Sequence, residues 1–181
     1  MKKTFAAIVA IIIISVCIGA AWERIDRAIM LKNYGFKYEE YVERYSAEYS
    51  VPQEVIYAVI KCESDFVPDA VSPKGAVGLM QMMPDTYDWL CTKLGETRDS
   101  LYNPETSIKY GTYYLSYLWD RFGIWENCFA AYNAGETKVS SWLESTEYSE
   151  DGRLTYIPYE ETRKYVKKVN DAVEAYKELL Y

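Results

Sequence analysis

Apolar positions recur at three- and four-residue steps through most of the chain, which predicts a mainly helical protein with little room for a sheet. The stretch "YEEYVERYSAEY" predicts one helix, and "SVPQEVIYAVIKCES" a second. The second opens with Ser50 as N-cap and Pro52 in the first turn, and Ile56, Val59 and Ile60 form its apolar face. Pro73, Lys74 and Gly75 predict a tight turn, after which "GLMQMM" restarts a helix and another runs from Asp85 toward Gly95. Asn103 and Pro104 open a helix carrying Ile108, Tyr114, Leu115 and Leu118, which ends near Gly123. A further helix through "IWENCFAAYNAG" stops at Asn133–Gly135. Asp151–Gly152 suggests a hairpin or a loose loop. Val166, Val169, Val173 and Tyr176 stripe a long final helix. No internal repeat and no second domain is evident.

The front of the chain departs from this pattern. In "MKKTFAAIVAIIIISVCIGAAW" two lysines precede an uncharged run from Phe5 to Trp22, 18 residues long. That exceeds a usual signal-peptide apolar region and suffices to span a bilayer. The lysines favour a cytoplasmic N-terminus and place the rest outside. Gly19, Ala20 and Ala21 leave cleavage open; an uncleaved anchor is the preferred reading. Residues 1–22 are therefore read as anchor or signal, 23–37 as a membrane-proximal spacer and 38–181 as one domain.

Composition narrows the chemistry. Half the residues are hydrophobic and 16% aromatic, which argues against disorder. Without Lys2 and Lys3, 18 basic residues remain against 27 acidic, a net charge of −9. This disfavours nucleic acid or an anionic surface as ligand and is compatible with an uncharged polymer such as a glycan. The chain has no histidine, which excludes Ser–His and Cys–His catalysis and the commonest transition-metal sets, so neither cofactor nor metal is expected. Cys62, Cys91 and Cys128 allow one disulfide plus a thiol, or three thiols.

Glu63 is the position that needs explaining. It lies three residues after Ile60 and four after Val59, and so continues a buried face. Burial and the negative end of a helix both raise a carboxyl pKa, and a glutamate held protonated near neutrality can act as a general acid. On this stretch alone a plainer account is preferred, in which the helix has frayed and Glu63 faces solvent or pairs with Lys61.

Other blocks reverse that preference. "ESDFVPDAVSPKGAVGLMQMMPDT", "YNPETSIKYGTYYL", "AAYNAG" and "IPYEETRKYV", in this order and spacing, resemble the transglycosylase SLT domain family, the soluble-lytic-transglycosylase branch of the lysozyme-like superfamily. The resemblance runs from about Tyr38 to Tyr176. It implies a mainly α, lysozyme-like single domain with at most a small β-hairpin, preceded by the transmembrane or signal segment. It also implies cleavage of the β-1,4 bond between N-acetylmuramic acid and N-acetylglucosamine in peptidoglycan, leaving 1,6-anhydromuramoyl ends. Glu63 would be the sole acid and base, with neither Asp65 nor Asp69 as nucleophile.

By the same resemblance Gln81 and Glu161 line the glycan cleft. Tyr132 would reach Glu63 or the substrate's N-acetyl group. Asn133 would bind sugar or cap its helix. Met80, with Met82 and Met83, would be core or groove lining and is placed against substrate. Gly75 and Gly78 serve backbone geometry, a turn and a close approach to sugar. Arg163 and Tyr165 are read as packing or ion-pair partners. Two features depart from the family: Cys62 and Cys128, which could lie close enough to pair, and Tyr159 where phenylalanine is common. The expected partners are peptidoglycan strands and, through residues 1–22, the membrane, with a monomeric protein. The rival readings are a muramidase using water and a non-catalytic peptidoglycan-binding protein.

Overall fold

The structure is a computed structural model that describes residues 2–181, with side chains described from residue 14 onward except at 23 and 26. It divides into two units, residues 1–36 with Tyr181, and residues 37–180. The first unit is built on α1 (Lys2–Asn33), so the helix continues through the charged stretch read as a spacer. No helix among the described residues is long and apolar enough to cross a membrane. Much of the expected span falls on residues 5–13, whose side chains lie outside the described residues.

The second unit contains α2 (Glu39–Tyr49), α3 (Gln53–Ser64), α4 (Pro84–Leu94), α5 (Pro104–Phe122), α6 (Trp125–Ala134) and α7 (Glu136–Leu143). It closes with the hairpin β1 (Ser149–Glu150) and β2 (Arg153–Leu154) and with α8 (Glu160–Leu180). The mainly helical expectation holds, and the sheet is this hairpin alone among the described residues. Its register pairs Ser149 with Leu154 and Glu150 with Arg153 across Asp151 and Gly152, both at positive φ. A two-residue turn of that geometry matches the twist of paired strands. Buried Asn127 ties the hairpin to α6: its amide donates to the Gly152 carbonyl and accepts from the Leu154 N–H.

The helix signals near residue 104 act as expected. The Asn103 side chain accepts from the Glu105 N–H, Pro104 opens α5, and Gly123 closes it at φ 62°. Near residue 50 they do not. Ser50 ends α2 in a left-handed conformation, and Pro52 precedes α3 without a side-chain cap.

Helix α3 is the centre of the unit. Every residue from Glu54 to Ile60 is buried, rather than the single face that periodicity suggested. A helix enclosed on all sides is a core helix. It packs against α8, where Tyr57 stacks on Tyr176 at 5.3 Å, and α6 packs against both α5 and α8. Glu63 thus stands in the last turn of the most enclosed helix.

A further local expectation fails. "GLMQMM" forms no helix: Val77 and Met82 exchange backbone hydrogen bonds, and Gly78 and Gln81 sit at φ 83° and 47°. The helix through "IWENCFAAYNAG" does end at Gly135, as its sequence predicts, and α7 follows it immediately.

Candidate active site

The end of α3, the segment from Val67 to Met83, the end of α6 and the start of α8 converge. Ser64, next to Glu63, donates from its hydroxyl to the Leu79 carbonyl at 2.8 Å. The Met80 N–H donates to buried Ser107 Oγ at 3.1 Å, and the Tyr132 hydroxyl donates to the Met80 carbonyl at 2.8 Å. The Gln81 amide nitrogen donates to the carbonyls of Ala70 and Gly78, both at 3.0 Å. The tight turn over Ser72–Gly75 forms as expected, with Gly75 N–H on the Ser72 carbonyl. One irregular segment is therefore fastened to α3, α5 and α6 by side chains from three separate sequence blocks, which satisfies backbone groups no regular element pairs.

Glu63 is mostly buried, and its carboxyl is pushed up to about 7. Loss of hydration is the largest cause; the Tyr165 hydroxyl and the Lys168 ammonium act the other way by favouring the charged form. No second carboxylate is among the groups that set its ionisation. Asp65 caps α3 and pairs with Lys61, Glu161 pairs with Lys74 at 3.0 Å, and Asp69 is exposed. The frayed, solvated Glu63 is excluded.

Tyr165 is the residue that sequence reasoning missed. Its buried hydroxyl makes no hydrogen bond of ordinary geometry, yet it lies near enough to Glu63 for each to shift the other's ionisation. In sequence it was one tyrosine among 19. Only the crossing of α8 over the end of α3 singles it out. Tyr165→Phe removes a group that lowers the Glu63 pKa, so the pKa should rise further above about 7. The alkaline limb of a kcat/KM profile should then move to higher pH, with the folded state intact by circular dichroism.

The other expected residues fare variously. Tyr132 is close enough to Glu63 to feel its charge, and its ring packs on Tyr114 at 5.4 Å. Its proton is committed to Met80, so its role toward Glu63 is electrostatic and steric. Asn133 caps no helix; its side-chain oxygen accepts from Thr162 at 2.7 Å and locks α6 to the start of α8. Gln81 spends its amide N–H groups on backbone and keeps its oxygen as an acceptor.

Met80 is corrected outright. Its side chain is fully buried, in a notch where a Cβ on Gly111 would lie 2.3 Å from its sulfur. Met83 is the methionine of this segment that reaches the surface. Gly78 approaches not a sugar but the Leu101 carbonyl, 2.2 Å from where a Cβ would stand. Arg163 donates to the carbonyls of Ile157 and Pro158 and fixes the entry to α8. All four cysteines are free thiols, and the groups acting on Cys62 and Cys128 come from different parts of the unit, so the two do not pair.

Two depressions meet at Ala134, two residues beyond Tyr132. One, of about 420 Å³, is lined by Asp85, Trp89, Tyr114, Glu136 and Lys138. The other, of about 520 Å³, is lined by Lys74, Asn133, Pro158, Tyr159 and Glu161. Aromatic walls with scattered polar groups suit a hydroxylated, partly apolar ligand. Tyr159 presents an exposed ring edge-on to Trp142, so the change from phenylalanine adds a hydroxyl at the cleft rim without touching Glu63.

Known proteins resemble this chain in sequence and in fold. The profile of the Transglycosylase SLT domain matches residues 40–154, and the chain belongs to that family. It is 34% identical over 160 residues to the soluble lytic murein transglycosylase of Escherichia coli K12, a match covering 83% of this chain and 24% of that one. It is 32% identical over 167 residues to the membrane-bound lytic murein transglycosylase C of Yersinia pestis, covering 78% of this chain and 47% of the relative. The structure superposes with a TM-score of 0.74 and 33% identity on an inactive glutamate-to-glutamine mutant of the lytic transglycosylase Slt from Pseudomonas aeruginosa, over 81% of this chain and 25% of that one. The chain thus spans between a quarter and a half of the length of these relatives.

Proposed function

We propose that this protein is a lytic transglycosylase that cleaves the β-1,4 bond between N-acetylmuramic acid and N-acetylglucosamine in peptidoglycan. The observation that carries the reading is a single, largely enclosed carboxyl in the last turn of α3, pushed up to about 7, with no second carboxylate acting on it. A retaining glycosidase places its second carboxyl only ~5 Å away, where its charge would raise the first further. Nothing of that kind acts on Glu63.

One carboxyl suffices if the substrate supplies the nucleophile. Glu63 gives its proton to the glycosidic oxygen as the C1–O4 bond breaks, and the N-acetyl group stabilises the cationic centre. The Glu63 carboxylate then takes the proton of the muramoyl C6 hydroxyl as that oxygen bonds to C1. The proton count closes, and Glu63 ends as it began. Tyr165 and Lys168 lower the cost of the transient carboxylate, as their effect on its pKa indicates. The Gln81 amide oxygen, Asn133 and Glu161 are the polar groups proposed to bind sugar. The inactivity of the relative's glutamate-to-glutamine mutant supports a glutamate in this role.

The apolar run Phe5–Trp22 supports an anchor that holds the enzyme at the outer face of a membrane, or a signal if cleaved. In α1 the exposed side chains of Ile14, Val16, Ile18 and Trp22 favour an apolar surrounding.

Mass spectrometry of the sugars released from purified peptidoglycan tests the reaction. The expected product is one water lighter than the hydrolytic muropeptide and resists borohydride. A reducing end would mean that water attacks, and the enzyme would be a muramidase. Binding without release would mean a wall-binding protein.

A further inference from the structure

A third depression lies apart from the two that meet at Ala134, and nothing in the reaction uses it. It encloses about 290 Å³ between the end of α5, the start of α6, β2 and the second half of α8. Its apolar wall is an aromatic stack: Trp119 and Trp125 lie 4.5 Å apart at 31°, and Trp125 continues onto Phe129 at 5.7 Å. Trp119 is 38% exposed, a large apolar surface left to water. The rim is polar but electrically balanced. Arg153 pairs with Glu126 at 3.1 Å, Lys177 pairs with Glu174 at 2.8 Å, and Asn170 of α8 lines the pocket.

We propose that this pocket is a second saccharide-binding site, taking an N-acetylated sugar of a glycan strand outside the catalytic cleft. Indole faces bury the C–H face of a pyranose, and an amide with paired charges around it offers donors and acceptors to hydroxyl and acetamido groups. With both cations matched, the rim holds no surplus charge to attract an anionic polymer or a lipid surface. The two sites share their supports. Trp125 and Tyr132 are seven residues apart on α6, about 10 Å along its axis, and Tyr165 and Val173 eight apart on α8, about 12 Å. A strand held here keeps the enzyme on a polymer between cleavage events, since the second contact raises the local concentration of substrate. The identity of the polymer rests on the function proposed above.

The five tryptophans report separately. Trp89 lines the cleft, Trp119 and Trp125 the third depression, Trp142 packs on Tyr159, and Trp22 lies in α1. The full chain carrying Glu63→Gln, labelled with 5-fluorotryptophan and held in detergent micelles, is titrated with chitotetraose and followed by fluorine NMR. The Trp119 and Trp125 resonances should shift with a midpoint of their own, distinct from that of Trp89. In Trp119→Ala the Trp125 shift should vanish while Trp89 titrates unchanged and Trp142 keeps its folded resonance; Trp119→Phe should retain part of the Trp125 shift. Movement of Trp89 with Trp119 and Trp125 still overturns the second site and leaves the cleft reading standing. A Trp125 shift that survives Trp119→Ala overturns it equally. Silence at every tryptophan together with no cleavage of peptidoglycan overturns the glycan reading and this site with it.

Discussion

Glu63→Gln should reduce release of sugars from peptidoglycan by about 10³-fold or more, because it removes the one group that both gives and takes the proton. The amide keeps the size and polarity of the side chain, so glycan binding should persist. Stability should change in a direction that identifies the group. The folded carboxyl titrates at about 7, above its ordinary value of 4.5. Below about pH 4.5 both folded and unfolded chains hold the proton. Between there and about pH 7 only the folded chain does, so stability falls as pH rises and levels off beyond. The variant has nothing to titrate, so at pH 8 it should be more stable than the parent by roughly 3 kcal/mol and at pH 4 about equal. Urea melts at the two pH values measure this. Undiminished cleavage would remove Glu63 from the mechanism, and a stability gain at pH 4 equal to that at pH 8 would mean its carboxyl is not perturbed.

Gly78→Ala should be among the most damaging single changes outside Glu63. At φ 83° an alanine is strained wherever it is placed, and here its Cβ would lie 2.2 Å from the Leu101 carbonyl oxygen. That oxygen belongs to backbone and cannot swing aside as a side chain end can. The segment must shift, carrying with it the Gly78 carbonyl that Gln81 holds and the neighbouring Met80 peptide that Ser107 and Tyr132 hold. A loss of about 3 kcal/mol or more is expected, with cleavage falling even where the protein remains folded. Chemical denaturation and a cleavage assay on the same sample check both parts. A loss below about 1 kcal/mol would show that the segment accommodates a methyl group and is not rigidly fastened.

The contrast between Met80 and Met83 shows where reading the chain reaches its limit. Three methionines within four positions have the same chemistry, and no periodicity separates them because the segment is neither helix nor strand. Met80 and Met82 are enclosed while Met83 is not, and the space for Met80 depends on Gly111, some 30 residues later, whose missing side chain makes it. Tyr165 poses the same problem. Nothing in "EETRKYV" distinguishes a packing tyrosine from one directed at a carboxyl on another helix, because the partner is about a hundred residues away.

What the sequence by itself determined is what local physics controls: most of the helices, the Asn103–Pro104 start and Gly123 end of α5, the Asp151–Gly152 turn, the absence of histidine chemistry, and four blocks specific enough to name a family. Periodicity, capping and turn preferences act over a few residues and are written in neighbouring letters. Only the tertiary structure decided that α3 is enclosed on every side, that Glu63 is thereby dehydrated, and that no other carboxylate acts on it. The same is true of the fastening of the segment before Met83, which draws on Ser64, Ser107 and Tyr132 from three helices. Burial and electrostatic shift are sums over everything that surrounds a group. Those surroundings exist only once distant parts of the chain have packed together.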